Sequence, residues 1–388
     1  MNLAFEILFW TSLGWLLYVF ILYPLFVAIL ARIRPCPIQK SDSYLPEVCF
    51  VMAAYNEEEV IGRRLQSYVD LEYPREKLYF KIGSDGSSDQ TDEIVMEYQK
   101  RDQTIDLRRF NRVGKTEIVY TLAEESDSEI IIFCDADIEL TQDVLKTIVA
   151  CFADEEVGGV VARVIYEDTD KNVGNVGETT YRGMEDALRR NESLWYSTVS
   201  PTGQCFAVRN GSYTPLNDFR MSDDLNLAIT IQLHGRRVWY EPNAVVEEIN
   251  LRNLWTECKR RLRMGQQSMA TFLRYEGTKW PWRGRVAFQI WSHKVLRNLA
   301  ALPALLFFAS SLVLWNSLAL YQWVGILGLV WVGLCVIGLI VEVTRLKLPV
   351  IGYPLYFTMM VATLAIGSFR AIFSGEGLAM WTSPRIKH

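Results

Sequence analysis

Apolar residues concentrate at both ends of the chain, whereas the middle alternates short apolar and polar stretches. Residues 13–30 form a nearly uninterrupted apolar run, and with residues 3–10 the stretch exceeds the roughly 20 residues that cross a bilayer core. No basic region precedes this run, and Arg32 and Arg34 follow it, which is atypical of a cleaved signal peptide. The pattern predicts an N-terminal transmembrane helix over residues 1–33 whose C-terminal end lies in the cytoplasm.

A second apolar region occupies the C-terminal end of the chain, after a predicted interfacial segment at residues 283–298. Arg345 and Lys347 separate two of its apolar runs, as in a cytoplasmic loop. The side of the tail stays open, because its basic residues suit the cytoplasm whereas an odd number of spans would place it outside. Gly352 and Pro354 also allow a re-entrant segment. About three spans are predicted within residues 299–388, at 299–315, 320–341 and 350–369, which makes about four in the whole chain.

The middle of the chain, residues 48–282, alternates strand-like and helix-like patterns after a proline-rich linker at 34–47 that should be extended. Such alternation is typical of an α/β domain with a mainly parallel sheet covered by helices on both faces. In these sheets, ligands bind beyond the carboxyl ends of the strands. Strands are predicted at 48–52, 78–82, 130–134 and 157–165. Helices are predicted at 57–68, 92–100, 115–125 and 140–152.

Charge and cysteine usage narrow the functional classes. The chain of 388 residues is long enough for one large domain with appendages, and its net charge of −5 gives no case for nucleic acid as a partner. The seven cysteines are scattered without C-x-x-C spacing. This distribution is typical of a reduced cytosolic domain and argues against a disulfide framework or a structural zinc site.

Two aspartates one residue apart, Asp135 and Asp137, follow the apolar run at 130–134. Carboxylates at the exit of a buried strand can hold a hard divalent cation, and Mg²⁺ usually binds one or two of them together with substrate phosphates. The pair therefore predicts a Mg²⁺ or Mn²⁺ site that the phosphates of a nucleotide-diphosphate donor complete. The alternative, from the residues alone, is that both aspartates cap the next predicted helix at 140–152.

Three further polar clusters follow predicted strands or begin a predicted helix. Tyr55, in the cluster at 53–59, can stack on a nucleobase, and Asp85 can accept a hydrogen bond from a base N–H. Lys115 follows Gly114 at a helix N-terminus, an arrangement that suits a phosphate. Each cluster also has a structural interpretation. Acidic residues favour a helix N-terminus, serine and aspartate turns cap helices, and a Gly-Lys pair is often surface decoration.

Two later clusters concern catalysis. Asp224, which follows Asp223 just before a helical pattern, can act as a general base, because a carboxylate can deprotonate a sugar hydroxyl. Helix capping accounts for Ser222 and in part for Asp223. The basic run at 259–263 either attracts anionic lipid headgroups or neutralises a departing diphosphate.

In their order and spacing, these clusters resemble the membrane-embedded members of family 2 of the inverting glycosyltransferases. That family has the GT-A fold and includes bacterial polysaccharide synthases. The resemblance covers about residues 48–267 and extends to the membrane layout, and the ordered set is specific although no single member of it is. The set comprises 53–57, 85–87, 114–115, Asp135 with Asp137, 203–209 and Asp223 with Asp224. Further matches are Tyr181, Glu185, Glu192, 235–242, Glu247 or Glu248, Trp381 and Arg385.

The resemblance implies a UDP-sugar donor, a Mg²⁺ or Mn²⁺ cofactor, contact with membrane lipid and a catalytic domain at the cytoplasmic face of the cell membrane. It also implies that Asp224 deprotonates the acceptor hydroxyl and that Arg263 stabilises the leaving diphosphate. The residues implied in donor binding are Ala53, Tyr55, Glu57 and Asp85 for the nucleoside, Lys115 for the diphosphate or ribose, Asp135 for the nucleotide, and Asp137 with Asp135 for the metal. The residues implied at the acceptor are Gln204, Cys205 and Asp223.

One departure from the family pattern bears on the product. Processive synthases carry Q-x-x-R-W, whereas the matching stretch here keeps Arg263 but has Arg260 for the glutamine and Met264 for the tryptophan. In processive members that tryptophan helps to form the acceptor platform. We therefore expect transfer to a lipid-linked or growing polysaccharide acceptor, with a processive synthase of the cellulose, chitin, hyaluronan or poly-N-acetylglucosamine type as the alternative. A nucleotidyltransferase and a non-catalytic membrane scaffold are remote alternatives.

Overall fold

The structure is a computed structural model that divides into two compact units. The larger unit is drawn from residues 30–169 and 186–251 and contains the described strands. The smaller unit is drawn from residues 1–29, 170–185 and 252–377, and its described part is helical. The structure describes residues 2–167, 174–216, 218, 220–249, 254–344 and 352–373. Outside the described residues lie Arg345, Lys347, Trp381, Arg385 and the side chain of Tyr181.

The strands and helices have the following bounds. The strands are β1 Val48–Ala54, β2 Leu78–Ser84, β3 Ile105–Arg109, β4 Ile130–Cys134, β5 Ile138–Leu140, β6 Val157–Glu167, β7 Cys205–Arg209 and β8 Arg237–Ile249. The helices are α1 Asn2–Leu17, α2 Tyr23–Ile33, α3 Ile61–Val69, α4 Thr91–Arg101, α5 Lys115–Glu124, α6 Val144–Ala150, α7 Gly174–Trp195, α8 Asp223–Leu233, α9 Leu254–Arg274, α10 Arg285–Gln289, α11 Leu296–Asn298, α12 Ala301–Val313, α13 Ala319–Thr344 and α14 Gly352–Phe373. Residues 34–47 contain neither a helix nor a strand, as the prolines of the linker predict.

The described strands form one sheet of eight, in the order β3-β2-β1-β4-β7-β6-β8-β5. Strands β3, β2, β1 and β4 pair in parallel and form one half of the sheet. In the other half, β7 runs antiparallel to both β4 and β6, and β5 runs antiparallel to β8, while β6 and β8 are parallel. The predicted α/β sheet is confirmed, and its antiparallel pairings make it mixed.

Helices cover both faces of the parallel half. On one face the rings of Phe50 and Phe80 stack with Tyr68 of α3, with centroids 5.1 and 4.4 Å from the Tyr68 ring. On the other face α5 packs so closely on β2 that a Cβ at Gly83 would lie 2.1 Å from Cγ2 of Ile118. Strands β1 and β4 are buried along their whole lengths, which is why their sequences are continuous apolar runs.

Two predicted helices begin later than the sequence indicates. The helix predicted at 140–152 is wrong at its start, because Ile138–Leu140 pairs with β8 as a short strand and α6 begins only at Val144. Asp143 stands at the N-cap position of α6, so Asp135 and Asp137 do not cap it. The helix predicted at 57–68 begins at Ile61, after a turn.

Strands β3, β7 and β8 were not predicted as strands. In β3 only Ile105 is buried, so this edge strand lacks the apolar pattern that identifies a strand. The segments of β7 and β8 were interpreted as binding motifs, and their pairing partners lie far away in sequence. Pairing at that distance is decided by tertiary structure, which local patterning does not encode.

Three helices in the described part of the chain are long and apolar enough to cross a membrane: Leu3–Ile33, Ala319–Thr344 and Gly352–Phe373. A pair bent by 55°, Arg285–Asn298 with Ala301–Val313, makes a fourth candidate if it counts as one broken span. Helix α12 has 13 residues and is about 20 Å long, which is shorter than the roughly 30 Å hydrocarbon core. The predicted span at 299–315 therefore needs the preceding segment to cross.

In the smaller unit, α9 and α14 pack backbone against backbone through glycines. A Cβ at Gly265 would lie 2.2 Å from the carbonyl oxygen of Leu364, and a Cβ at Gly367 would lie 2.1 Å from that of Leu262. The hydroxyl of Ser368 donates to the carbonyl of Gly265 over 3.3 Å. Close approach through small residues is the usual packing of helices in membranes.

Candidate active site

Three polar loops meet at one edge of the sheet because β1, β2 and β4 are parallel and end there. The loops after β1 and β2 are tied together: the Asn56 N–H donates to Oγ of Ser87 over 3.2 Å, and the Ser88 N–H donates to Oδ1 of Asn56 over 2.8 Å. Asn56 has a φ of 53°, in the left-handed region that asparagine tolerates. This edge is where the sequence predicts ligand binding.

Glu57 and Ala53 lie at the base of these loops. The Glu57 N–H donates to Oγ1 of Thr91 over 2.8 Å, and the Glu57 residue is 4% exposed. Ala53 is 5% exposed and pairs with Gly83 of β2. Both residues are buried beneath the surface of this edge.

Asp85 is fully buried at the end of β2, where its carboxylate has two donors. Nη1 of Arg112 lies 2.6 Å from Oδ2 of Asp85, and the Gly114 N–H donates to the same carboxylate over 3.2 Å. The Arg112 Cζ lies 3.4 Å from the centroid of the Tyr55 ring, which is a cation–π contact. The structure thus brings Tyr55 and Asp85 together, as predicted, with Arg112 across both.

Lys115 joins two acidic pairs at the same edge. Its Nζ lies 2.6 Å from Oδ1 of Asp135, at the exit of β4, and 3.5 Å from Oδ2 of Asp223, at the start of α8. Gly114 precedes Lys115 with a φ of 95°, a conformation that favours glycine and lets α5 begin at the lysine. Lys115, Asp223 and Asp224 line one cleft with Gly203, against the apolar wall of Phe133, Phe206 and Leu227.

These charges shift one another's pKa values. Burial disfavours the charge of Lys115, yet the carboxylates of Asp135 and Asp223 outweigh it and hold the Lys115 pKa above its ordinary value. Burial also opposes ionisation of Asp223, but Lys115 outweighs it and lowers the Asp223 pKa. Burial raises the pKa of Asp135, with Lys115 opposing the rise and Asp137 adding to it. Lys115 is therefore a fixed cation between carboxylates.

Asp224 has a different environment from Asp223. Burial, followed by the negative charge of Asp223, raises the pKa of Asp224. Ser222 occupies the N-cap position of α8 but does not cap it, because its hydroxyl donates to Oδ1 of Asp224. The Leu225 N–H donates to the same oxygen over 2.8 Å. This environment fixes one carboxylate oxygen of Asp224 and makes its carboxyl more basic than its neighbour's.

The predicted acceptor residues lie beside the acidic cluster, with one exception. A Cβ at Gly203 would lie 3.5 Å from Oδ2 of Asp224, so the glycine leaves room next to that carboxylate. Gln204 donates from Nε2 to the buried Glu248 over 3.0 Å. Cys205 is fully buried in the core opposite Cys134 of β4, and it does not line the cleft.

Asp135 and Asp137 fit a hard divalent cation. Both are partly exposed carboxylates at a strand exit, and carboxylate oxygens are the ligands that Mg²⁺ and Mn²⁺ prefer. The described residues contain no group of three or more ligating side chains that could hold a metal alone. The set therefore suits a cation whose coordination is completed by substrate oxygens, which is the usual mode of Mg²⁺.

Arg263 belongs to α9, in the smaller unit, and is partly buried there. Glu257 accepts hydrogen bonds from Arg260 over 2.6 Å and from Arg261 over 2.8 Å. Burial opposes the ionisation of Glu257, but these two arginines outweigh it and hold its pKa well below the ordinary value. Two charges of the basic run are thus tied to Glu257.

Three residues of the site were not assigned a role from the sequence. The sequence contains a hint of a role for Arg112, because this residue begins the stretch that ends in Gly114 and Lys115. Gly203 and Glu248 fell within or beside recognised motifs, but their closeness to Asp224 and Gln204 depends on the antiparallel half of the sheet.

A large part of the larger unit matches a known protein family. Residues 49–214 match the sequence model of the family described as glycosyl transferase family 2. This match runs from β1 to β7, and it includes Tyr55, Asp85 and the Asp135 and Asp137 pair.

The curated relatives include proteins named as a glycolipid synthase and as a polysaccharide synthase. The chain is 28% identical over 282 residues to β-monoglucosyldiacylglycerol synthase of Synechocystis sp., covering 67% of this chain and 57% of the relative. It is 26% identical over 238 residues to poly-β-1,6-N-acetyl-D-glucosamine synthase of Staphylococcus epidermidis, covering 58% of this chain and 56% of the relative. The chain thus spans about half the length of the curated relatives it matches.

Among solved structures, the mannosyltransferase PcManGT from Pyrobaculum calidifontis, in complex with GDP-Man and Mn²⁺, superposes with a TM-score of 0.70. The sequences are 20% identical, and the match covers 97% of this chain and 100% of that one. At this identity the likeness concerns the fold. It confirms the predicted fold class, a GT-A-like α/β domain accompanied by apolar helices.

Proposed function

We propose that this chain, whose residues 49–214 match glycosyl transferase family 2, is a member of that family and moves a sugar from a UDP-sugar to a lipid-linked or growing polysaccharide acceptor. The observation that carries the proposal is the cleft in which Lys115 joins Asp135 to Asp223 beside Asp224. The cleft contains a cation for phosphate and a basic carboxylate for the acceptor, and Lys115 connects it to Asp135 of the proposed metal pair. These are the groups that sugar transfer from a nucleotide requires.

The donor occupies the edge formed by the parallel strands. Tyr55 offers a ring for stacking on uracil, and Asp85 offers a carboxylate for a base N–H. The buried residues Ala53 and Glu57 lie beneath the nucleoside. Lys115 faces the diphosphate, where its fixed positive charge offsets the charge of the phosphates.

Asp224 acts as the general base toward the acceptor hydroxyl. Its raised pKa means that it binds a proton more strongly than an ordinary aspartate, which improves proton transfer from a weakly acidic alcohol. The hydroxyl oxygen attacks C1 of the sugar as the bond from C1 to the diphosphate breaks, and the proton passes to Asp224. A single displacement of this kind inverts the configuration at C1. Gln204 and Asp223 lie on the acceptor side, whereas the buried Cys205 does not reach the acceptor.

Asp137 and Asp135 would hold Mg²⁺ or Mn²⁺, and the bound ion would supply positive charge to the leaving diphosphate. From the resemblance of the sequence to the family, we also propose that Arg263 stabilises the leaving diphosphate. Glu257 forms ion pairs with Arg260 and Arg261, the neighbouring cations of the basic run.

The acceptor side favours addition to a lipid-linked or growing glycan. Met264 stands where processive synthases have tryptophan, and a flexible thioether gives a less directional contact with a sugar ring than an aromatic face does. The Synechocystis relative is named as a glycolipid synthase and the staphylococcal relative as a polymer synthase. A processive synthase is therefore the second candidate.

We place the catalytic domain in the cytoplasm, at the face of the cell membrane, because Arg32 and Arg34 follow the first apolar helix. A membrane-impermeant thiol reagent applied to intact cells should spare Cys36, which is partly exposed, and should label it after lysis. Labelling in sealed cells would contradict this orientation.

The activity is tested by incubating the purified chain in detergent with a panel of nucleotide sugars, with and without Mn²⁺. We expect release of UDP from one or few UDP-sugars, and only with the metal present. Release of pyrophosphate, or no release from any donor, would contradict the proposal.

Size analysis of products from a single labelled UDP-sugar separates the two candidates, since a high-molecular-weight homopolymer made without added acceptor would favour the processive synthase.

A further inference from the structure

Arg112 covers both groups that the proposed function assigns to the nucleobase. Its guanidinium carbon lies 3.4 Å from the centroid of the Tyr55 ring, and its Nη1 lies 2.6 Å from Oδ2 of Asp85. The Asp85 side chain is fully buried under it, whereas the Arg112 side chain is 38% exposed. The arginine is thus a solvent-facing cover over a buried carboxylate.

A guanidinium and a nucleobase present the same recognition features to this pair of residues. Both are planar and stack on an aromatic face, and both can direct N–H donors in their own plane toward a carboxylate. A base that stacks on Tyr55 and donates to Asp85 would therefore need the positions that the guanidinium takes.

The backbone around Arg112 is anchored on both sides. The Phe110 N–H donates to the Ser84 carbonyl over 2.8 Å, and the Gly114 N–H donates to Asp85 over 3.2 Å. Between these anchors Arg112 has a φ of 53°, a left-handed conformation that costs free energy for a residue other than glycine. The surrounding contacts hold this strained conformation, which directs the side chain across Asp85.

We propose that Arg112 competes with the nucleobase of the donor for Tyr55 and Asp85, so that a donor binds only as the guanidinium moves aside. This proposal rests on the proposed function. The arginine lowers donor affinity and selects bases that can replace its N–H donors: uracil and guanine carry a ring N–H beside a carbonyl, whereas cytosine has an acceptor at the equivalent ring nitrogen. Because the loop is anchored, the Arg112 side chain moves more than its backbone does.

The test compares UDP affinity between the full-length wild type and Arg112→Ala by calorimetry in detergent with Mn²⁺. Competition predicts that Arg112→Ala binds UDP about threefold to tenfold more tightly, because the base no longer displaces a stacked cation. Arg109→Ala is the matched control, since Arg109 precedes the loop and bonds to Asp92 instead, and its UDP affinity should equal that of the wild type. Unchanged or weaker UDP binding by Arg112→Ala would overturn the proposal.

Pyrophosphate and a second variant make the result specific. Pyrophosphate lacks a base, so its affinity should be the same in the wild type and Arg112→Ala, whereas a parallel loss for pyrophosphate and UDP would assign Arg112 to the phosphates. Arg112→Lys keeps the charge but loses the planar face, and it should also tighten UDP binding.

If the wild type releases UDP from a UDP-sugar while neither variant gains affinity, this inference fails and the proposed function stands. If the wild type neither binds nor releases UDP, the proposed function itself fails.

Discussion

The parallel and the antiparallel halves of the sheet contribute different parts of the site. In the parallel half, successive strands end at one edge, and their loops bring Tyr55, Asp85 and Asp135 there. In the other half, β7 and α8 bring Gly203 and Asp224 to the same cleft. Lys115 contacts an aspartate from each side. On the proposed function, donor binding and sugar transfer depend on separate segments of the chain, so substitutions should separate the two properties.

The largest effect should come from Asp137→Asn, on the donor side. Loss of the carboxylate would weaken the proposed metal site, and we expect turnover to be abolished while the fold survives, because Asp137 lies on a polar loop at the strand exit. UDP release measured with Mg²⁺, together with thermal unfolding, tests this. Asp127→Asn, an exposed aspartate before β4, is the control and should be fully active. Near-normal turnover by Asp137→Asn would remove the metal role.

Lys115→Met should damage both properties at once, because Lys115 contacts both halves of the site. Asp135 and Asp223 would lose the cation that favours their charged forms. We expect at least about a tenfold loss in UDP affinity and a further loss in transfer rate, because a charge-assisted contact with the diphosphate is lost together with the cation between the carboxylates. Lys81→Met on β2, whose ammonium donates to the carbonyl of Glu125, should change neither property. A selective loss of transfer with intact UDP binding would place Lys115 on the acceptor side alone.

Asp223→Asn should have a smaller effect that is visible in the pH dependence. The negative charge of Asp223 raises the pKa of Asp224, second to burial. With Asp224 as the base, kcat/KM falls on the acid side as pH drops through the Asp224 pKa, since only the carboxylate accepts a proton. Removing the charge of Asp223 lowers that pKa, so the acid limb should move to lower pH. A limb that stays in place or moves to higher pH would exclude Asp224 as the titrating group.

Gly367→Ala tests whether the packing of α9 against α14, which lies outside the sheet, affects donor binding. A Cβ there would lie 2.1 Å from the Leu262 carbonyl oxygen, so α9 and α14 must separate, at a cost of about 1–3 kcal/mol. We expect a lower unfolding temperature and unchanged UDP affinity. Gly333→Ala, where nothing lies within 4 Å of an added Cβ, is the control. A fall in UDP affinity would mean that this helix pair belongs to the donor site.

The sequence predicted the donor side better than the acceptor side, for a physical reason. Strands β1 and β4 are buried on both faces and are continuous apolar runs, so their ends and the polar residues after them can be located. Strand β7 is also a short buried run, but the sequence does not reveal its antiparallel pairing with β4, which places Cys205 in the core instead of the cleft. Contacts between segments distant in sequence, such as that of Gln204 with Glu248, depend on this pairing.

Arg112 shows the same limit within the better-predicted half. Its residue type and its place before Gly114 are visible in the sequence and suggest a phosphate. Its left-handed backbone and its contacts with Tyr55 and Asp85 follow from how the loops after β1 and β2 pack, which no local pattern encodes.

The most direct test of the account compares Asp85→Asn and Asp224→Asn, measuring the UDP dissociation constant and the rate of sugar transfer for each. Asp224→Asn should bind UDP within a few-fold of the wild type but transfer sugar at least about 10²-fold more slowly, the lower end for loss of a general base. Asp85→Asn should bind UDP weakly and regain much of its transfer rate when UDP-sugar is raised. If Asp224→Asn loses UDP binding but keeps its turnover rate at saturation, the assignment of the two halves is contradicted.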